Sequence, residues 1–259
     1  MGLFRGKMNK LSDEISVQGK TDVGKMRSNN EDYFEILVGN DAPEFVDAVI
    51  VVADGMGGHA AGEVASGMSV KGVMNAIGRF TGREAEGKVY SGLLGEILVG
   101  VNRDVYLEGK KPEFNGMGTT CTAAVIAEGQ LHVAHVGDSR CYVSRNGNLT
   151  QVTRDHGWVA EQVEAGNLTL EQASVHPYRN VVTRAIGTDE EVLVDTFVED
   201  LSPGDRVLIC SDGLHSVVGD EDIEKILNSG PAMFVCDELI QASNARGGPD
   251  NITVVIADI

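Results

Sequence analysis

Thr119-Thr-Cys-Thr-Ala-Ala-Val-Ile-Ala127, Glu128-Gly129, Gln130-Leu-His-Val-Ala-His-Val136, Gly137-Asp138-Ser139, Arg140-Cys-Tyr-Val-Ser-Arg145, Asn146-Gly147 run without interruption through the middle of the chain. The side chains in the longer pieces alternate with a period of two, the signature of a strand. The pieces are separated by short turn-forming dipeptides, and Asn-Gly is the strongest of these signals because a type I′ turn needs positive φ at both central positions. The stretch therefore predicts an antiparallel meander. On its N-terminal side Glu14 to Lys20, Tyr33 to Val38 and Val46 to Ala53 read as further strands, the last fully buried. Between these strands and the meander, Ala61, Val64, Ala65 and Met68, with Val73, Met74 and Ile77, fit a helical face. The positions Tyr90, Leu93, Leu94, Ile97, Leu98, Val101 and Val105 fit another. C-terminal to the meander, a polar and partly helical insert spans about 154–187, with Trp158, His176-Pro177 and Arg179-Asn180. Strands near Val192–Val198 and Arg206–Cys210, helices near Glu221–Leu227 and Ala232–Ala245, and a last strand over Ile252–Ile256 complete the pattern. Antiparallel strands with helices clustered between them argue an α+β fold with two antiparallel sheets faced by helices.

Three aspartates stand where apolar strand-like runs begin or end. They are Asp54 in Ala48-Val-Ile-Val-Val-Ala-Asp54-Gly55, Asp212 in Arg206-Val-Leu-Ile-Cys-Ser-Asp212-Gly213, and Asp250, just before Ile252-Thr-Val-Val-Ile-Ala257. A lone Asp-Gly is most simply a residue capping its own turn. Three in matching contexts are different, because a carboxylate at the mouth of a buried strand is costly to desolvate unless positive charge meets it. Hard cations with oxygen ligands are the natural match. The sequence reads as that of a metal-dependent hydrolase.

Composition narrows the rest. A chain of 259 residues, 42% of them hydrophobic, is ample for one core, and no composition break marks a linker. The expected organisation is an N-terminal extension over 1–14 and one domain over 15–259, with the insert at 154–187 as a flap. With 21 basic against 39 acidic side chains the net charge is -18, which repels nucleic-acid phosphates and anionic lipid. Cys121, Cys141, Cys210 and Cys236 show no paired spacing, and no run approaches a membrane span. Residue 6 is Gly where a myristoylation signal wants Ser or Thr. The expectation is a cytoplasmic monomer with neither nucleic acid nor membrane as partner.

Six short motifs occur in a fixed order: Arg27-Ser-Asn-Asn-Glu31-Asp32, Asp54-Gly-Met-Gly-Gly-His59, Gly116-Met-Gly-Thr-Thr120, Val136-Gly-Asp-Ser-Arg140, Cys210-Ser-Asp-Gly-Leu214 and Gly247-Gly-Pro-Asp-Asn251. In that order they resemble the PPM (PP2C-type) serine/threonine protein phosphatases, most closely the compact bacterial members that oppose Ser/Thr protein kinases. The resemblance covers the chain from about residue 15 to 259 and implies a four-layer αββα sandwich. It also implies two Mn²⁺ or Mg²⁺ ions bridged by Asp54, with the Gly55 carbonyl on one and Asp212 and Asp250 on the other, and Glu31 and Asp32 acting through metal-bound water. A water bridging such a pair would attack phosphoserine or phosphothreonine, with no covalent phosphoenzyme. Arg27 matches the family's phosphate-binding arginine, His59 the residue that protonates the leaving oxygen, and the flap a variable subdomain involved in substrate choice.

Read by itself, Arg27 serves equally as half of a surface ion pair with Glu31 or Asp32, and His59 as a helix cap. Asp138 and Arg140 read as structural turn residues. His132, His135, His156, His176 and His215 read as packing, turn or flap residues, since hard oxygen donors already supply the site. Trp158 reads as a flap anchor. Two departures from the family touch a third ion: Glu113 stands where relatives carry Asp, and Ser216 where an acidic or amide residue is frequent. The expectation is two core ions and a third that is absent or weak. Two alternatives accompany the phosphoprotein phosphatase reading. One is a phosphatase of partner-switching regulators. The other, an inactive phosphoprotein-binding module, is disfavoured by the retention of Asp54, Asp212 and Asp250.

Overall fold

The computed structural model describes residues 15–57, 60–79 and 90–259. The expected N-terminal extension and His59 lie outside the described residues. Strands β1 (Ser16–Asp22), β7 (Arg140–Arg145), β8 (Asn148–Gln151), β10 (Arg206–Cys210) and β11 (Ile252–Asp258) form one sheet in the order β1-β11-β10-β7-β8. Strands β2 (Asp32–Val38), β3 (Ala48–Met56), β5 (Cys121–Ala127), β6 (Gln130–Val136) and β9 (Asp195–Asp200) form the other in that order, with the two-residue β4 (Gly118–Thr119) paired to β3. Every strand pairing is antiparallel.

The continuous apolar run of β3 follows from burial on both faces. Val49, Val51 and Ala53 face a helical layer made by α1 (Ala60–Ile77) and α2 (Tyr90–Glu108), where Val73, Leu94 and Leu98 pack. Ala48, Ile50 and Val52 point the other way, into the space between the sheets, against Cys141, Val207, Ile209 and Val255. The first sheet repeats the scheme. Tyr142, Leu208, Val254 and Ile256 leave its outer face to pack on Leu214, Ile223, Leu227, Val235 and Leu239. Those residues come from α5 (Asp212–His215), α6 (Asp220–Leu227) and α7 (Ala232–Ala245). Three apolar interfaces thus separate four layers, αββα. Leu208 and Leu239 are fully buried, and trimming either to Ala would cost about 2–5 kcal/mol.

The meander closes through the turns its dipeptides require. Asn146 and Gly147 both have positive φ (52° and 81°), as do Glu128 and Gly129 (54° and 75°), so both are type I′ hairpins. Between β8 and β9 the chain makes two short helices, α3 (Trp158–Glu164) and α4 (Leu170–Ser174). Trp158 stacks on His176 at 4.8 Å and meets Tyr178 edge-on at 5.3 Å, an aromatic anchor for the flap.

Some boundaries differ from expectation. β3 runs past Ala53 through Asp54 and Gly55 to Met56, because β4 pairs with its end, so Asp54 lies inside a strand rather than after one. The run expected from Thr119 to Ala127 breaks at Thr120, whose hydroxyl oxygen accepts from Asp54 N–H and whose amide donates to Asp54 O. The strand expected at Val192–Val198 forms at Asp195–Asp200, since Val192 and Val194 pack against the helical layer from an irregular segment. Among the described residues no helix is long and apolar enough to cross a membrane.

Candidate metal centre

Register builds the centre. Asp32 opens β2 directly opposite Asp54 on β3, so antiparallel pairing sets two carboxylates side by side at one end of that sheet. At the same end of the other sheet, Asp212 follows β10 by two residues and Asp250 precedes β11 by two. The sheets are stitched there by Ser211, whose hydroxyl donates to Asp32 Oδ2 at 2.7 Å and accepts from Thr253 N–H at 2.9 Å.

The backbone around these side chains is held firmly. Asp54 N–H donates to Thr120 Oγ1 at 2.9 Å, and Asp54 O accepts from Thr120 N–H and from Thr119 Oγ1, both at 2.9 Å. Gly55 is required by close approach: a Cβ there would come within 2.2 Å of Gly62 O and 2.7 Å of Glu31 O. Gly213 is forced likewise by the Asn251 carbonyl, at 1.9 Å from its would-be Cβ. Asn251 braces the loop that carries Arg27 and Glu31. Its Oδ1 accepts from Glu31 N–H at 2.8 Å, and its Nδ2 donates to Val23 O at 3.0 Å and Asn29 O at 2.9 Å.

Charge in the centre is poorly compensated. Burial is the largest cause pushing up the carboxyl pKa of Asp32, Asp54, Asp138 and Asp212, and repulsion from neighbouring carboxylates adds to it in every case. For Asp32, hydrogen bonds from Thr253 and Ser211 offset part of the rise. Asp32 Oδ1 and Asp212 Oδ1 are buried without a hydrogen-bond partner. Arg27 is the cation at the rim, its side chain 51% exposed, and its Nη2 donates to Asp250 Oδ2 at 2.6 Å. Its hydrogen bond thus goes to Asp250. Burial opposes the Arg27 charge, and Asp250, Glu31 and Asp54 more than restore it. The Glu31 carboxylate lies over the start of α1, where a Cβ on Gly62 would meet its Oε2 at 2.8 Å. Among the described residues no three His, Cys, Asp or Glu side chains close into a ligand cage.

Asp138 belongs to this group although its motif reads as a turn. Its carboxyl is raised by burial and then by Asp212, while His215 Nε2 donates to its carbonyl at 2.9 Å. Pairing of β7 with β10 carries it there, a contact 74 residues long that no local pattern announces. Glu113, by contrast, is exposed on a 3₁₀ turn (Pro112–Phe114), while Asp138 is among the acidic neighbours of Asp212. A cleft of about 680 Å³ leads from Asp138, Asp212 and Ser216 to the flap, where Val159, Val163 and Leu170 line it.

The family model for Protein phosphatase 2C matches residues 25–248. The chain belongs to that family. A serine/threonine phosphatase stp of Listeria welshimeri is 39% identical over 241 residues, 92% of this chain and 94% of that one. Among solved structures, an S. agalactiae serine/threonine phosphatase superposes with TM-score 0.86 at 34% identity, covering 95% of this chain and 99% of that one. The catalytic domain of the serine/threonine protein phosphatase PstP, solved in complex with two manganese ions, superposes with TM-score 0.80 at 35% identity over 94% and 97% of the chains. The protein is a PP2C-type serine/threonine phosphatase, a phosphoric monoester hydrolase. The four layers and antiparallel sheets expected from its motifs are those of its solved relatives.

Proposed function

We propose that this phosphatase hydrolyses phosphoserine and phosphothreonine on proteins, opposing Ser/Thr kinases, with two divalent cations held by Asp54, the Gly55 carbonyl, Asp212 and Asp250. The observation that carries the reading is the gathering of Asp32, Asp54, Asp212 and Asp250 near the ends of four strands from two sheets, where burial pushes the carboxyl pKa of Asp32, Asp54 and Asp212 up and the charge of Asp250 adds to the rise in each. Such a donor set fits a hard cation: it is all oxygen, it is anionic, and it keeps buried oxygens of Asp32 and Asp212 free of protein partners. The two manganese ions bound by the PstP catalytic domain support Mn²⁺ as the ion. When bound, a metal pair supplies Lewis acidity to the phosphoryl oxygens and lowers the pKa of the attacking water. Glu31 and Asp32 accept hydrogen bonds from water at the edge of the site.

Arg27 grips phosphate. Its planar guanidinium offers two N–H groups to two phosphoryl oxygens, and the exposed rim position leaves it open to substrate. We assign proton delivery to the departing serine or threonine oxygen to His59, since an alkoxide is a poor leaving group. Asp138 stands beside Asp212, so any third cation would meet these two rather than Glu113. The cleft toward the flap gives the flanking polypeptide of the substrate a place to lie.

The deciding experiment is hydrolysis of a phosphothreonine peptide by chelator-treated protein, with Mn²⁺ restored, for the wild type and Asp250→Asn. Activity that returns with Mn²⁺ only in the wild type supports the reading. Turnover that survives chelation, or an Asp250→Asn enzyme as active as wild type, contradicts it.

A further inference from the structure

The flap leaves the domain near residue 154 and returns near residue 187, and both roots converge on His156, which is buried. Its backbone N–H donates to Gly137 O at 2.7 Å, and Gly137 N–H donates back to its Nδ1 at 3.0 Å. A backbone amide can only donate, so Nδ1 is the acceptor there. Nε2 lies 3.3 Å from Asp195 Oδ2 and 3.0 Å from Arg184 Nη1, and that Nη1 donates to Asp195 Oδ1 at 2.7 Å, so the imidazole, one carboxylate and the guanidinium of the returning flap segment meet at one point. The His156 carbonyl accepts from Thr183 N–H at 2.9 Å, and Gly157 bridges to Val182.

His135 completes the joint from the sheet. Its Nε2 faces two carbonyls, Gly137 O at 3.0 Å and Arg154 O at 3.1 Å, so it is the donor there and Nδ1 accepts from Thr122 Oγ1 at 2.9 Å. Gly137 is thereby fixed through both its amide and its carbonyl. It has φ +115°, and a Cβ on it would strike Thr120 at 2.5 Å, so the turn has no slack. The next residue is Asp138, which faces Asp212.

We propose that His156 is a positioning residue that couples the flap to the carboxylate group, with Nδ1 setting the Gly137-Asp138 turn and Nε2 setting the flap through Asp195 and Arg184. The inference rests on the carboxylates being the cation site. One imidazole then serves two ends of the cleft, the catalytic end at Asp138 and the substrate end at the flap.

The two nitrogens can be separated by substitution. Asn places an acceptor near the position of Nδ1 and nothing near Nε2, while Gln reaches the Nε2 position and leaves the Gly137 amide without its partner. His156→Gln is expected to weaken Mn²⁺ binding, measured by calorimetry on chelator-treated protein, by about fivefold, the loss of roughly one hydrogen bond. His156→Asn is expected to raise KM for a phosphothreonine peptide by a similar factor, with a smaller change in Mn²⁺ affinity. If both variants shift Mn²⁺ affinity and peptide KM together, or shift only the melting temperature, His156 is structural and the proposal falls. Should His156→Gln not fold, Asp195→Ala cuts the flap end alone. A raised peptide KM with Mn²⁺ affinity held then supports the coupling, and a parallel loss of both overturns it. Wild-type enzyme that needs no Mn²⁺ for peptide hydrolysis would instead count against the cation site itself.

Discussion

Two polar regions flank the cleft, and they are built on opposite plans. At the root of the flap every strong charge has its partner. Arg140 holds Asp155 through Nε at 2.9 Å and Nη2 at 2.7 Å, and Gln151 adds a bond to the same carboxylate at 2.9 Å. The Asp155 pKa falls below its usual range: burial would raise it, and the Arg140 contacts outweigh that. A few residues away, Asp32, Asp54, Asp138 and Asp212 crowd together, and all are pushed upward, first by burial and further by neighbouring carboxylates. The first region is electrostatically complete and serves stability. The second is incomplete within the protein, which is what the proposed cation site requires: binding energy kept in reserve.

The largest effect that could break this contrast is on catalysis. Asp212→Asn should lower phosphopeptide turnover by at least about a hundredfold, since several kcal/mol of transition-state stabilisation would pass through the proposed metal pair. Far-UV circular dichroism should remain native. Near-wild-type turnover in a folded variant at saturating Mn²⁺ would remove Asp212 from the site.

Stability is next in size, and it separates the two regions by sign. Arg140→Met leaves Asp155 buried without its cation and should cost about 3 kcal/mol in urea unfolding. That is the low end for a broken buried pair, because the two side chains are 21% and 16% exposed. A loss below about 1 kcal/mol would mean that solvent already compensates Asp155.

Acid should act on the histidines of the joint. Burial, then His156, lowers the His135 pKa to about 4 from an unfolded value of about 6.5. In that window the unfolded chain binds the proton and the folded protein does not, so stability falls as pH falls. The unfolding free energy of wild type relative to His135→Gln should therefore drop by about 1.4 kcal/mol per pH unit between about pH 6.5 and 4. A difference that does not vary with pH would show that His135 is not held neutral.

Glu113 should give the smallest effect. With its side chain exposed on a surface turn, Glu113→Ala should leave the Mn²⁺ concentration for half-maximal activity within about twofold, less than the loss of one hydrogen bond. A steep rise would make the glutamate a working ligand.

Legibility from sequence followed the range of the interaction. The strands β6 and β7, the helix at Ala232–Ala245 and both type I′ turns are local, and periodicity or a dipeptide suffices to find them. Asp54, Asp212 and Asp250 were visible because each interrupts an apolar run. The Arg27–Asp250 pair was not, since its partners are 223 residues apart and nearer carboxylates compete on paper. Asp138 was missed for the same reason: a turn aspartate looks alike whether it faces solvent or another carboxylate. Asn251 and Ser211 escaped because small polar residues beside Asp carry no pattern, although they tie the two sheets and the Arg27 loop together.

The most direct test is thermal unfolding of chelator-treated wild type and Asp54→Asn across a Mn²⁺ titration. Without metal, the variant should melt at a higher temperature than wild type, because burial and neighbouring carboxylates disfavour the charged form of Asp54 and the amide cannot ionise. As Mn²⁺ is added the wild type should rise past the variant, which should respond weakly or not at all. A metal-free wild type that melts above Asp54→Asn, with both responding equally to Mn²⁺, would contradict the claim that these carboxylates are held in reserve for cations.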